Sequence, residues 1–203
     1  LDDWVTFYEG SRRLVEYLAH TGYNGAIFTV AADGGAIYPG ARLQATPRYD
    51  DGVFFHSGQD PLRKDVLELL LRMFDREGLR LVPTLQLTSP LAGLEDRRRR
   101  ASEARSPDPV APRRTTSRTA DAAAPLYDPL RPEVEQELAA VVAELVERYG
   151  AHTSFTGLGL QLSADGYTQL AGLDYGADFA SLRRFAQAAG IVLPPNRSEA
   201  ELA

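Results

Sequence analysis

The sequence predicts an α/β fold with parallel strands, a TIM-barrel-like segment that forms part of a (β/α)8 barrel. Three short apolar runs each follow a stretch with helical periodicity, and helical crossovers imply parallel strands with right-handed connections. A polar segment follows each run, which suits a barrel whose site lies at the carboxyl ends of its strands. No Gly-x-Gly-x-x-Gly pattern follows a strand, so a dinucleotide fold loses its main support, and a flavodoxin-like or other open α/β sheet remains the alternative.

The first helix and strand are predicted at 10–22 and 23–30. The helix carries an apolar stripe and ends at Gly22, a residue that suits a helix C-terminus. The strand is apolar and bounded by polar residues, as a buried strand is. A long polar and aromatic loop then covers 31–58, within which 53–55 could form a short extra strand.

The second helix and strand are predicted between Asp60 and Leu87. Asp60 followed by Pro61 is a helix start, because the carboxylate caps free N–H groups and proline fits the first turn. A broad apolar stripe leads to Gly78, and the strand covers 79–87. Pro83 lacks an N–H, which predicts an irregularity in the pairing of this strand.

The segment 92–125 differs from its surroundings in composition. It is rich in Ser, Thr, Ala and Pro, lacks apolar periodicity, and has eight arginines against five acidic residues. This pattern predicts a disordered low-complexity insertion, with a basic docking arm as the alternative. The predicted organisation is therefore 1–91 for the first βα units, 92–125 for the insertion and 126–203 for a further βα unit of the same barrel.

After this insertion, a third helix and strand are predicted over 132–150 and 155–162, followed by a helix at 178–189. The net charge of −6 argues against nucleic acid and anionic membranes as partners. The absence of cysteine excludes thiolate chemistry, and three scattered histidines predict neither a metal nor another cofactor. The chain opens with Leu1 rather than Met, so we expect the remaining barrel strands in a longer parent chain.

Polar side chains follow each predicted strand and are the candidate site residues. Asp165 either forms a turn before Gly166 or serves as a cleft carboxylate acting as an acid or base. Gln86 and Gln161 occupy equivalent places on two strands, either as core amides or as hydrogen-bonding partners of a ligand. Asp33 is likewise either a turn former or a site residue.

Two loop tyrosines and one histidine complete the set of candidates. Tyr38 and Tyr167 either stack on a sugar ring, whose C–H groups complement an aromatic face, or cover the barrel rim. His56, before the predicted cap at Asp60, is interpreted as a structural hydrogen bonder rather than a proton-transfer group.

Two blocks of sequence carry a family resemblance. "LVEYLAHTGYNGAIFTV", "GGAIYPG" and "LLLRMFDREGLRLVPTLQL" form the first, and "YDPLRPEVEQELAAVVAELVERYG" with "FTGLGLQLSADGY" forms the second. These blocks resemble the glycosyl-hydrolase-like, family-10-like barrel proteins and, more distantly, the α-amylase clan of barrels. The resemblance implies a barrel that hydrolyses or binds an oligo- or polysaccharide at the carboxyl ends of its strands.

One departure from the family pattern bears on activity. In those families the strand after the Pro-x-Val helix often ends in a catalytic aspartate, and Gln161 takes that place here. A neutral amide is neither a nucleophile nor a general acid, so Asp165 is the remaining candidate carboxylate, with Asp33, Tyr38, Gln86, Gln161 and Tyr167 as substrate-binding candidates. The alternative is a non-catalytic glycan-binding or scaffold barrel within a larger multidomain protein.

Overall fold

The computed structural model describes residues 4–32, 35–49, 56–59, 64–88, 90–107, 109–111, 127–162, 167–168 and 179–192. One sheet has the strand order β2-β1-β3-β4, with β1 at Gly25–Ala32, β2 at Gly35–Ala36, β3 at Arg80–Gln86 and β4 at Gly159–Gln161. The pairs β1–β3 and β3–β4 are parallel. The predicted α/β class with three parallel strands is therefore confirmed, while the antiparallel β2 is an addition to it.

Five helices are assigned bounds within the described part of the chain. They are α1 at Trp4–Thr21, α2 at Val66–Arg76, α3 at Ala92–Glu103, α4 at Pro132–Tyr149 and α5 at Phe179–Ala188. None of these helices is both long and apolar enough to cross a membrane. The chain divides into two compact units, one formed by 1–92 with 139–166 and the other by 93–138 with 167–203.

The core of the first unit is centred on α2, which packs against α1 and β3. Its apolar residues recur at helical spacing, so one broad stripe is removed from water. The stripe consists of Val66, Leu67, Leu70, Leu71, Met73 and Phe74, all buried.

The start of α2 differs from the sequence prediction. The prediction places the cap at Asp60, which lies outside the described residues together with Pro61. The helix described here begins at Val66, and the Asp65 carboxylate accepts the Glu68 N–H at 3.0 Å. Asp65 thus performs the capping expected of Asp60. The C-terminal end agrees with the prediction, because Gly78 has a positive φ of 66° just after the helix.

The two faces of the sheet have different surroundings. Leu81, Pro83 and Leu85 alternate along β3 and are buried. Ile27 of β1 pairs with Val82 and therefore lies on the opposite face, where its side chain is 76% exposed. Thr84 and Gln86 share that opposite face, because side chains two residues apart project to the same side of a strand. The polar side chains of the sheet therefore lie on the more open of its two faces.

An irregularity occurs in the pairing of β1 with β3, as Pro83 led us to expect, but the extra residue lies in β1. Thr29 pairs with Thr84 and Ala31 pairs with Leu85, which leaves Val30 without a partner in register. The Val30 carbonyl oxygen accepts the N–H of Ile37 at 2.9 Å instead. The residue that the bulge leaves without a register partner is therefore hydrogen-bonded to the residue just after β2.

The interpretation of 92–125 as a disordered insertion is wrong for its first part, because Ala92–Glu103 forms α3. Leu94 is its buried residue, and Arg98 and Arg99 bind Glu95 and Asp96 across single helical turns. Helix-forming residues and local ion pairs support this helix. A search for apolar periodicity misses it because only one apolar side chain anchors it. The stretch 112–126 lies outside the described residues.

The second unit contains a cluster of polar contacts next to α3. The Tyr127 hydroxyl donates to Glu95 at 2.6 Å, and the Arg98 guanidinium lies 5.3 Å from the centre of the Tyr127 ring. The Asp128 N–H donates to the Val110 carbonyl oxygen at 2.8 Å. These contacts attach α3 and the segment after it to the start of α4.

Candidate functional site

The carboxyl edge of the sheet brings Gln86 and Gln161 together. These residues are register partners in the parallel pair formed by β3 and β4. Neighbouring strands lie about 5 Å apart, so the two side chains leave the same face side by side. Gln86 is half-buried and Gln161 is exposed. The prediction that these two glutamines lie at a common edge of one sheet is confirmed.

The amides of these two glutamines have unused hydrogen-bonding capacity. Throughout the described ranges, no hydrogen bond to either side-chain amide is present. Each primary amide offers two N–H donors and an oxygen with two lone pairs. Two such groups on adjacent strands present both donors and acceptors toward one region of space. This arrangement suits a ligand that also carries both, such as a molecule rich in hydroxyl groups.

Two threonines extend the glutamine pair along the same face. Thr29 and Thr84 are register partners on β1 and β3, and the Thr84 hydroxyl donates to the Thr29 hydroxyl at 3.2 Å. Thr84 is buried, whereas Thr29 is exposed. We call these four residues the polar row: Thr29, Thr84, Gln86 and Gln161. All four are uncharged, so the row can donate and accept hydrogen bonds but cannot transfer a proton at neutral pH.

Gly159 has no side chain and so makes room for Thr84 of the polar row. It pairs with Thr84 across the β3–β4 ladder. A Cβ atom at Gly159 would lie 2.6 Å from the Thr84 Cγ2 atom, closer than carbon atoms approach. The glycine is therefore explained by the threonine next to it. The sequence alone shows only a glycine-rich strand and does not reveal this reason.

Tyr38 lies in the core and not on an open rim. It is 1% exposed, and its ring meets Tyr149 edge to face with 6.0 Å between centroids. Burial, reinforced by Glu144, raises the pKa of the Tyr38 hydroxyl far above its ordinary value. A ring covered in this way has no face available for a sugar, so the structure replaces both the stacking and the rim interpretation of Tyr38 with packing in the core.

The loop around Tyr38 is fixed by α4. The backbone N–H groups of Ala41 and Arg42 donate to the Glu144 carboxylate at 2.6 and 3.2 Å. Near the end of the same helix, the Tyr149 hydroxyl donates to Asp65 at 2.8 Å. Burial and this bond to the Asp65 carboxylate raise the pKa of Tyr149. Contacts between residues about a hundred positions apart leave no local signal, so sequence reasoning missed this network.

The remaining candidates contribute less to the described geometry. Asp33 and Asp165 lie outside the described residues, so the catalytic role predicted for Asp165 stays a prediction. By sequence, Asp33 directly follows β1. Tyr167 is half-buried in the second unit, where its ring lies 5.7 Å from Tyr127 and its carbonyl oxygen accepts the Tyr127 N–H. His56 is exposed. No group of three or more potential ligands among the described residues could hold a metal ion.

The comparison with protein-family models gives a match. A family model described as glycosyl hydrolase-like 10 matches residues 3–175. No curated protein and no solved structure matches the chain. The matched stretch contains the whole sheet and the polar row, and it covers most of the 203 residues. The chain therefore belongs to the glycosyl hydrolase-like 10 family.

Proposed function

We propose that this protein binds a glycan through the polar row, at the carboxyl edge of a parallel sheet that forms part of a (β/α)8 barrel. The observation that carries the proposal is the pair of side-chain amides on Gln86 and Gln161, which lie side by side on neighbouring strands and make no hydrogen bond with the residues that the structure describes. Sugar hydroxyl groups donate and accept hydrogen bonds, as primary amides do. Sites in barrels of this type lie at the carboxyl ends of the strands, where both glutamines stand.

The uncharged character of the row favours binding over hydrolysis as the function of these four side chains. Glycoside hydrolysis uses two carboxylates, one on each side of the scissile bond, separated by roughly 5–10 Å. Neither Gln86 nor Gln161 can act as the acid, the base or the nucleophile. The row would then hold and orient the sugar, and any chemistry would come from other residues.

Hydrolysis is the second candidate, because family membership suggests a glycoside-hydrolase-like activity. Asp165 follows Gln161 by four residues and is the carboxylate that the sequence offers for this chemistry. A hydrolase would need a second acid facing Asp165 across the bound glycan. A protein that binds glycans without turnover needs neither carboxylate.

Binding is tested by titrating a panel of soluble oligosaccharides into the wild-type chain and into Gln86→Ala and Gln161→Ala. Each substitution removes about one or two hydrogen bonds, worth roughly 1 kcal/mol in total, so we expect affinity to fall about threefold to tenfold. Gln136→Ala is the matched control, because Gln136 is an exposed glutamine on α4. Equal affinity in all four proteins, or no binding of any panel member, would refute the proposal.

Hydrolysis is tested by measuring release of reducing ends from the same panel. If Asp165 is catalytic, Asp165→Asn abolishes release while the variant still binds the glycan. Turnover retained in Asp165→Asn removes Asp165 from the mechanism. Binding without turnover in the wild type supports the non-catalytic alternative.

A further inference from the structure

His152 is held between two carboxylates at the amino end of the sheet. Its Nδ1 atom lies 2.6 Å from Asp75 Oδ2, and its Nε2 atom lies 2.9 Å from Glu68 Oε2. Glu68 and Asp75 both belong to α2, at its first and last turns. His152 lies in the turn between α4 and β4, and its side chain is 14% exposed. We call these three residues the histidine clamp.

With both carboxylates ionised, the geometry of the histidine clamp favours a protonated ring. A carboxylate is only an acceptor, so each ring nitrogen needs its own hydrogen to bond its partner. A neutral imidazole has one N–H and would direct a lone pair at the second carboxylate from less than 3 Å. The imidazolium form satisfies both contacts and adds charge attraction to each.

Burial and the two carboxylates act on the ring in opposite directions, and the carboxylates prevail. The ring faces Glu68 and Asp75 on α2, and Arg72 of the same helix binds the other oxygen of Glu68 at 2.7 Å. Burial alone would lower the pKa of His152, but the bonds to Asp75 and Glu68 outweigh it and raise the pKa above the ordinary 6.5. Asp75 also accepts the Thr153 hydroxyl and the Ser154 N–H at 2.9 and 2.7 Å. The carboxylate is therefore fixed in place whether or not the ring is charged.

We propose that the histidine clamp attaches residues 152–155, the segment that leads to β4, to α2 in a pH-dependent way. The attachment is strong when His152 is protonated and weakens when it loses its proton. The segment it holds leads directly into the sheet, because the Ser154 carbonyl oxygen accepts the Leu81 N–H at 2.7 Å and Phe155 bridges to Leu81. The clamp therefore controls how firmly β4 is held at its amino end. This property is independent of glycan binding.

The pH window follows from the directions of the shifts. The His152 pKa is raised on folding, so its stabilisation is complete below about pH 6.5 and is lost as pH rises through the folded value. Burial would raise the pKa of Glu68 and Asp75, but their hydrogen bonds lower both. Their stabilisation is present above about pH 4 and is lost as pH falls through the folded values. The clamp is complete between these limits.

Urea unfolding of the full chain across pH 5–9 tests the proposal. The wild-type midpoint should fall as pH rises from about 6.5 upward. His152→Gln should have a lower midpoint at pH 6 and should show little further decline at higher pH. His20→Gln is the control, since His20 is exposed in the last turn of α1, and it should decline as the wild type does. A His152→Gln curve parallel to that of the wild type overturns the proposal.

Nitrogen-15 NMR of the histidine rings gives a second test that needs no variant at this site. The His152 ring should carry protons on both nitrogens at pH 6.5 and should titrate above this value. If His152→Gln fails to fold, this titration decides the matter. A ring that is half neutral at or below pH 6.5 overturns the proposal.

Discussion

At the amino ends of β3 and β4, polar side chains are bound to one another, whereas at the carboxyl ends of the same strands the amides of Gln86 and Gln161 have no hydrogen bond within the described residues. The amino end uses charged groups, with Asp75 accepting bonds from three residues of one turn. The carboxyl end uses neutral groups on two strands in register. The two ends are separated by only the length of a short strand.

The difference between the two ends indicates that one end of the sheet stabilises the fold and the other is available to a ligand. Charged groups that bind one another fix the strands, because removing either partner leaves the other incompletely satisfied. Neutral groups with free donors and acceptors stabilise the fold little and remain available to a ligand. We therefore expect substitutions at the amino end to act mainly on stability and substitutions at the carboxyl end to act mainly on binding.

The largest effect should come from Asp75→Ala at the amino end. The change removes the acceptor of bonds from His152, Thr153 and the Ser154 N–H, and we expect a loss of about 3 kcal/mol in the free energy of unfolding. Urea denaturation at pH 6 measures it. Glu77→Ala is the control, because Glu77 forms an exposed ion pair with Arg76 and should change stability by less than about 0.5 kcal/mol. Equal effects of the two substitutions would remove the distinction between the ends.

Gly25 and Gly159, the first residues of β1 and β4, differ in what an added Cβ atom would meet. A Cβ atom at Gly25 would collide with the Arg80 carbonyl oxygen, which belongs to the backbone of β3. At Gly159 it would meet the end of the Thr84 side chain at 2.6 Å, which rotates or shifts more easily than backbone. We expect Gly25→Ala to cost about 2 kcal/mol and Gly159→Ala about 1 kcal/mol by urea denaturation. The reverse order would mean that the backbones of β1 and β3 do not approach each other at Gly25 as closely as described.

The smallest effect on stability should come from the glutamines of the polar row. Gln86→Ala and Gln161→Ala remove no hydrogen bond seen within the described residues, so we expect the free energy of unfolding to change by less than about 0.5 kcal/mol. Thermal unfolding of both variants beside the wild type measures this. A loss above about 1.5 kcal/mol would show that these amides support the fold.

The sequence predicts the sheet better than it predicts the site. Apolar runs between amphipathic helices predict the parallel strands, and the carboxyl ends of parallel strands meet at one edge of a sheet, where Gln86 and Gln161 lie. The sequence predicts the cap of α2 at Asp60 because Asp-Pro is a strong local signal, yet Asp65 caps the helix that the structure describes. Local patterns identify elements well but do not choose among several polar residues that could end them.

Contacts between residues far apart in the sequence account for most of what the sequence does not predict. Its place in a loop makes Tyr38 a candidate stacking residue, whereas the fold buries it against Tyr149. The sequence does not predict the contacts of His152, because its two carboxylate partners lie more than 70 positions earlier in the chain. Helix α3 was missed because ion pairs within single helical turns, and not an apolar stripe, support it.

The most direct measurement is NMR of the side-chain amides during a glycan titration of the wild-type chain. We predict that the NH2 signals of Gln86 and Gln161 shift together with a common dissociation constant, while the ring signals of His152 at the amino end stay unchanged. Binding of a glycan that leaves both glutamine signals unmoved would contradict the assignment of the carboxyl edge as the binding surface.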